Sequence, residues 1–140
     1  MIDASYEIQI AVVARLKGYA AVTALIDQRV YDDPPRNSEG LVTATFPYLS
    51  FGPTQVLPDG WDCQDSSEIF FQLDAWSRKP GFAEVKKIAG AVRPALHKYD
   101  LPLAENALVS LEFVNTRILR DPDGKTSHAA MTFKAVVDHD

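Results

Sequence analysis

The residues best placed to do chemistry lie in RILRDPDGKTSH, residues 117–128, where Asp121 and Asp123 flank a proline and are followed by Gly124, Lys125 and His128. Two carboxylates and an imidazole so close together could form the mouth of a metal site or an acid–base pair. The spacing argues against both. A helix-loop-helix calcium loop needs a glycine at its sixth position and a glutamate at its twelfth, and counting from Asp121 these are Thr126 and Thr132. Proline presets the second position of a reverse turn, aspartate tolerates the third and glycine supplies the fourth, so DPDG reads as the turn between two strands. Asp121 and Asp123 are then hairpin residues, and His128 is a strand residue just beyond.

The remaining reactive types are scattered. His97, His128 and His139 show no i, i+4 pairing and no glutamate at metalloprotease spacing, so no metal is expected. Cys63 is the only cysteine, which rules out an internal disulfide and a thiolate zinc site built from one subunit. Cys63 with His97 could form a nucleophile pair, but the acidic stretch around Cys63 disfavours the thiolate, which leaves an ordinary loop thiol. Neither DGWDC nor EGLVT ends in the Lys-Ser/Thr of a phosphate loop, and no cofactor is expected.

Charge is more informative than any of these. The formal net charge is −5, unlike that of a protein that grips nucleic-acid phosphates through clustered Lys and Arg. Its distribution is uneven. Asp59, Asp62, Asp65 and Glu68 make one stretch wholly acidic, whereas Arg78, Lys79, Lys86, Lys87, Arg93 and Lys98 face only Glu84. The basic run reads as the outer side of an amphipathic helix, open to solvent or to protein rather than to DNA. Composition suits one compact domain over residues 1–140, with 46% hydrophobic residues. No apolar run approaches the roughly 18 residues of a membrane helix, so neither a span nor a signal peptide is expected, and a reducing cytoplasmic setting fits the single cysteine.

These residues must be positioned by a small set of elements. ASYEIQIAVVARLKG predicts a first helix with Asp3 or Ser5 as N-cap, Gly18 as stop and Tyr6, Ile10, Val13 and Leu16 or Lys17 at its three- and four-residue spacings. YAAVTALI adds one or two helical turns, and RVY a brief strand. Residues 32–45 and 53–67 read as two long loops. Between them TFPYLSFG alternates, with Pro47 at an edge or at a strand start. SEIFFQLDAWS is the clearest strand, with Ile69, Phe71, Leu73 and Ala75 on one face. A helix follows, its stripe formed by Phe82, Val85, Ile88, Ala89, Val92, Leu96 and Tyr99, and Pro94 predicts a kink or a restart near Gly90. The last third alternates twice, with Leu111 and Phe113 in one row and Val114 and Ile118 in the other, then Met131, Phe133 and Ala135.

The order of these landmarks resembles the tail-completion or tail-terminator proteins of long-tailed bacteriophages and gene transfer agents. The resemblance runs from about Ala11 to Val137 and rests on VVARLKGYAAVTALIDQRVYDDPP, FPYLSFG, FFQLDAWSR, AEVKKIAGAVRPALH and RILRDPDGKTSHAAMTFKAVV. It implies an α+β subunit: an antiparallel β-sheet with two main helices packed on it and a long C-terminal β-hairpin. It also implies a homo-hexameric ring on the head-proximal end of the tail tube, which stops tube growth, meets the tail tube protein and the head–tail connector, and lets DNA pass without binding it specifically. Such a protein is assembled in the bacterial cytoplasm and resides in the virion tail. The family has no catalytic signature to carry over.

A ring needs one patch to meet a different patch on the next subunit. The acidic stretch, with Asp59, Trp61, Asp62 and Asp65, and the basic stretch, with Lys79, Lys86, Lys87 and Arg93, offer such a pair. Residues 33–44 and 54–66 are expected to be mobile in a free monomer. Two other readings stay open: a small cytoplasmic protein-binding adaptor, and a small hydrolase using Cys63 or His128.

Overall fold

The computed structural model describes residues 3–58 and 66–139. Its elements are α1 (Ala4–Lys17), α2 (Ala20–Ile26), β1 (Val30–Tyr31), β2 (Tyr48–Pro58), β3 (Ser66–Ser77), α3 (Ala83–Leu96), β4 (Ala107–Arg120) and β5 (Ser127–Asp138). The strands form one sheet in the order β1-β2-β3-β5-β4, antiparallel except for the short β1–β2 pair. The fold is α+β, as expected. Among the described residues no single helix is long and apolar enough to cross a membrane.

Local signals set the element ends. The Asp3 carboxylate accepts from the Ser5 and Tyr6 N–H groups at 2.9 and 3.2 Å, satisfying donors that the first helical turn leaves over. Gly18 closes α1, with its N–H on the Ala14 and Arg15 carbonyls at 3.2 Å. The DPDG turn forms as read: the Gly124 N–H donates to the Asp121 carbonyl at 3.0 Å, and Gly124 takes φ 73°, a left-handed conformation open to glycine at no steric cost. The Asp123 carboxylate accepts from the Lys125 and Thr126 N–H groups and from the Thr126 hydroxyl.

The core lies between one face of the sheet and the helices. Leu49, Ile69, Phe71, Leu73 and Ala75 from β2 and β3 meet Ala129, Met131, Phe133 and Ala135 of β5 and Leu111 of β4. Val85, Ile88, Val92 and Leu96 of α3 cover them, with Ile8, Val12 and Leu16 of α1 behind. Between α1 and the start of β4, the buried Glu7 carboxylate accepts from the N–H groups of Ala104, Glu105 and Asn106, each at 2.9 Å, and from the Asn106 side-chain amide at 3.1 Å. Burial opposes its ionisation, but these donors outweigh burial and hold its carboxyl below the ordinary value.

Four expectations are corrected. The buried face of α1 is Ala4, Glu7, Ile8, Ala11, Val12 and Leu16, while Tyr6 and Ile10 are 59% and 51% exposed. Apolar residues at helical spacing occur on two sides of α1, and only the packing against α2 and α3 selects one. Where the loop placed at 53–67 is described, it is strand: a bulge at Gly52–Pro53 adds one residue, after which Thr54–Pro58 pair with Phe71–Ser67. Glu68, in the strand as expected, pairs with Lys134 at 2.5 Å. Val114 and Ile118 do not share a row. A second bulge, between Phe113 and Asn115, turns Val114 outward at 46% exposure and returns Ile118 to the core side with Phe113. Finally, α3 does not restart at Gly90 but runs unbroken from Ala83 to Leu96 with Pro94 in its last turn; the carbonyl that Pro94 cannot bond is that of Gly90, an exposed residue.

Candidate functional site

Of the expected interface residues, Asp59, Trp61, Asp62 and Asp65 lie outside the described residues, as does Cys63. Their attachment points, Pro58 and Ser66, stand at one end of the β2–β3 ladder. Lys79 stands beyond the other end, after Ser77. Eleven residue steps along β3 at about 3.3 Å each separate these ends by roughly 36 Å. The anchors of the acidic segment therefore stand far from Lys79 within one subunit.

The α3 residues divide into two kinds. Lys86 and Lys87 are exposed on the helix side away from Val85, Ile88 and Val92, and make no ion pair among the described residues. Arg93 is also exposed, but its guanidinium lies 4.3 Å over the Phe113 ring. Lys79 pairs with Glu84 at 3.3 Å, and Glu84 also accepts from the Ser77 hydroxyl at 2.6 Å.

A second constellation lies on the sheet face away from the helices. Period two puts Gln72, Asp74 and Trp76 of β3 on that face, and register brings His128 of β5 opposite Trp76. The buried Asp74 Oδ1 lies 2.6 Å from His128 Nε2 and accepts from the Gln72 amide at 2.8 Å. His128 stacks on Trp76, whose indole N–H donates to the Ser50 hydroxyl at 2.9 Å. Tyr48, Phe46 and Tyr31 continue the aromatic row. Desolvation pushes the Tyr48 phenol up from its ordinary value, against the nearby Arg36 and Arg78 charges. Segment 32–46 rims a cavity of about 430 Å³ above this floor. Within that segment the Asn37 side chain accepts from the Glu39 and Leu41 N–H groups at 2.9 and 3.0 Å, and Arg36 bridges Val42.

The histidine that a hydrolase would use is thus engaged in a carboxylate pair and a ring stack. Among the described residues no hydroxyl hydrogen-bonds to it, and no group of three His, Cys, Asp or Glu side chains is arranged to hold a metal. His97 accepts the Phe113 N–H on Nδ1 at 2.9 Å, tying the end of α3 to β4. His139 lies 2.7 Å from the Ser67 hydroxyl and 3.0 Å from the Asn106 side chain. Sequence reasoning missed the Asp74–His128 pair because it joins residues 54 positions apart, and their only signal, a shared strand parity, needs the β3–β5 register to become a contact.

Comparison with known proteins gives the arrangement a context. A family model described as "Tail completion protein gp17" matches residues 10–138. No curated protein matches the chain. Among solved structures, a chain of "Virion of native gene transfer agent (GTA) particle" is similar with TM-score 0.85 and 28% identity, over 99% of this chain and 99% of that one. The bacteriophage SPP1 gp17 protein is similar in fold, with TM-score 0.61 and 22% identity over 98% of this chain and 91% of that chain.

Proposed function

We propose that this chain, which belongs to the tail completion protein gp17 family, acts over its 140 residues as one ring-forming tail terminator. Six copies close on the head-proximal end of the tail tube, stop its growth and join it to the head–tail connector, and DNA passes through the lumen without specific binding. The likeness to a chain of a gene transfer agent virion over nearly the full length of both supports this context.

The observation that carries the ring is that Pro58 and Ser66, which anchor the acidic segment, stand at the opposite end of β3 from Lys79. Carboxylates tethered at that end are far from Lys79 of their own subunit, and opposite charges so placed match head to tail between neighbours, the heterologous contact from which closed rings are built. Asp59, Trp61, Asp62 and Asp65 form one side of that contact, and Lys79, Lys86, Lys87 and Arg93 the other. A net charge of −5 suits a conduit, since strong phosphate contacts would hold DNA in place. His128 and Asp74 serve packing in this reading, and no catalysis is required of them.

Negative-stain electron microscopy of the purified protein, with and without tail tubes, tests it. Rings on tube ends are expected. Solitary molecules that never decorate a tube end would defeat the reading and leave a monomeric adaptor in its place.

A further inference from the structure

Where β3 gives way to α3, four cations from three chain segments line a cavity of about 410 Å³: Arg78 and Lys79 before α3, Arg120 at the end of β4, and Lys125 in the β4–β5 turn. Two are held by aromatic faces. The Arg78 guanidinium lies 4.3 Å over the Phe46 ring and that of Arg120 4.8 Å over Phe82. Such stacking fixes the plane of a guanidinium while leaving most of its N–H edge open to an anion. Arg78, Arg120 and Lys125 make no ion pair among the described residues; Lys79 is paired with Glu84. Asp123 feels the Arg78 charge, yet its oxygens already accept from Lys125 and Thr126 within the turn. Arg78, Arg120 and Lys125, gathered in one concavity with no described carboxylate in ion-pair contact, repel each other until an anion joins them.

We propose that this cavity is a carboxylate site whose occupant is the acidic segment DGWDCQD, residues 59–65, of a neighbouring copy. Within its own subunit the segment is tethered about 36 Å away, by the length of β3. Seven residues span at most about 25 Å when extended, and fixed at both ends they reach out roughly half of that. The carboxylates therefore come from a second copy. DNA is the other polyanion available, but a chain of net charge −5 repels it, and four cations in one cavity lack the extended stripe that a duplex backbone requires. The proposal rests on the ring reading and adds Arg78, Arg120 and Lys125 beside Lys79 to the cationic side of that contact.

The test titrates a synthetic peptide of residues 56–67 into the full-length protein and into its Arg120→Glu/Lys125→Glu variant. Both side chains are exposed, and an unchanged denaturation midpoint verifies that the variant folds. Binding is expected to weaken about tenfold or more in the variant and to weaken with salt in the wild type. A peptide carrying Asp62→Lys and Asp65→Lys is expected to bind the variant and not the wild type. In parallel, ring formation on tube ends is expected to fall in the variant and to recover when both reversals are placed in one chain. A peptide that binds both proteins alike, or neither, overturns the site even where rings form. Peptide binding as expected, with no rings at any concentration, supports the site and overturns the ring reading. Loss of duplex-DNA retention in the variant, with peptide binding unchanged, assigns the cavity to phosphate and overturns the proposal.

Discussion

Trp76 and His128 lie face to face across the β3–β5 ladder, with ring centroids 3.9 Å apart and planes 12° from parallel. That stack and the Asp74 carboxylate behind it organise the sheet face that no described helix covers. Asp74→Ala removes the acceptor of both Gln72 and His128 and is expected to lower stability by about 1–3 kcal/mol, the range for buried polar groups that lose a partner. Chemical denaturation monitored by tryptophan fluorescence checks it. A midpoint within error of wild type would show that the pair contributes nothing.

Gly52 is required by the same cluster. A Cβ at position 52 would stand 2.7 Å from Asp74 Oδ2 and 2.9 Å from Gln72 Nε2, and both side chains are held by the hydrogen bonds they share. Gly52→Ala is expected to cost about 1–3 kcal/mol through overpacking. In an Asp74→Ala background most of that loss is expected to disappear, because the atoms in the way have gone. Additive losses in a double-mutant cycle would contradict the contact.

Acid stability should follow Glu7. Its folded-state pKa is depressed, so its contribution is present above the unfolded carboxyl value, about 4.3, and is lost as pH falls through the folded value. Asp3, held low first by the Ser5 hydroxyl, and Asp123, held low first by the Thr126 side chain, act with the same sign. Unfolding free energy is therefore expected to be flat near neutrality and to fall below about pH 5. Glu7→Gln is expected to lose roughly 2–3 kcal/mol at pH 7, since its amide adds a donor among donors, and to flatten the acid slope. A slope equal to that of wild type would remove Glu7 from the account.

The two sides of α1 should respond differently. Ile8 is fully buried and Ile10 half-exposed. Ile8→Ala is expected to cost about 2–5 kcal/mol, the range for a buried isoleucine, whereas Ile10→Ala stays within about 0.5 kcal/mol. A large loss at Ile10 with little at Ile8 would mean that α1 packs on the stripe suggested by its sequence.

Ring assembly is expected to weaken in Trp61→Ala and in Lys86→Glu, read as a lower ring fraction by light scattering as the protein is diluted. Ring size and dilution behaviour unchanged in both would remove those residues from the contact. If Lys86→Glu alone behaves as wild type while Arg120→Glu/Lys125→Glu does not, the contact lies at the cavity rather than on α3.

Local chemistry was legible in the chain. The Asp3 and Gly18 caps, the DPDG turn, the alternation of β3 and the α3 stripe all depend on residues a few positions apart, so sequence alone placed them. The succession of these short motifs also pointed to the tail-completion family, and the family match over residues 10–138 bears that out. Off-stripe cations on α3 were readable for the same reason.

Tertiary structure decided whatever depends on a distant partner. Two faces of α1 were apolar enough to bury, and contact with α2 and α3 chose Ile8 over Ile10. Bulges at Gly52–Pro53 and Val114 are single-residue slips that exist only against a neighbouring strand; they extended β2 to Pro58 and returned Ile118 to the core. Arg78, Arg120 and Lys125 are dispersed along the chain, and a β-hairpin folding beside the start of α3 makes them one cavity. Periodicity fixes which side of a strand a residue occupies, and register between strands fixes what it meets.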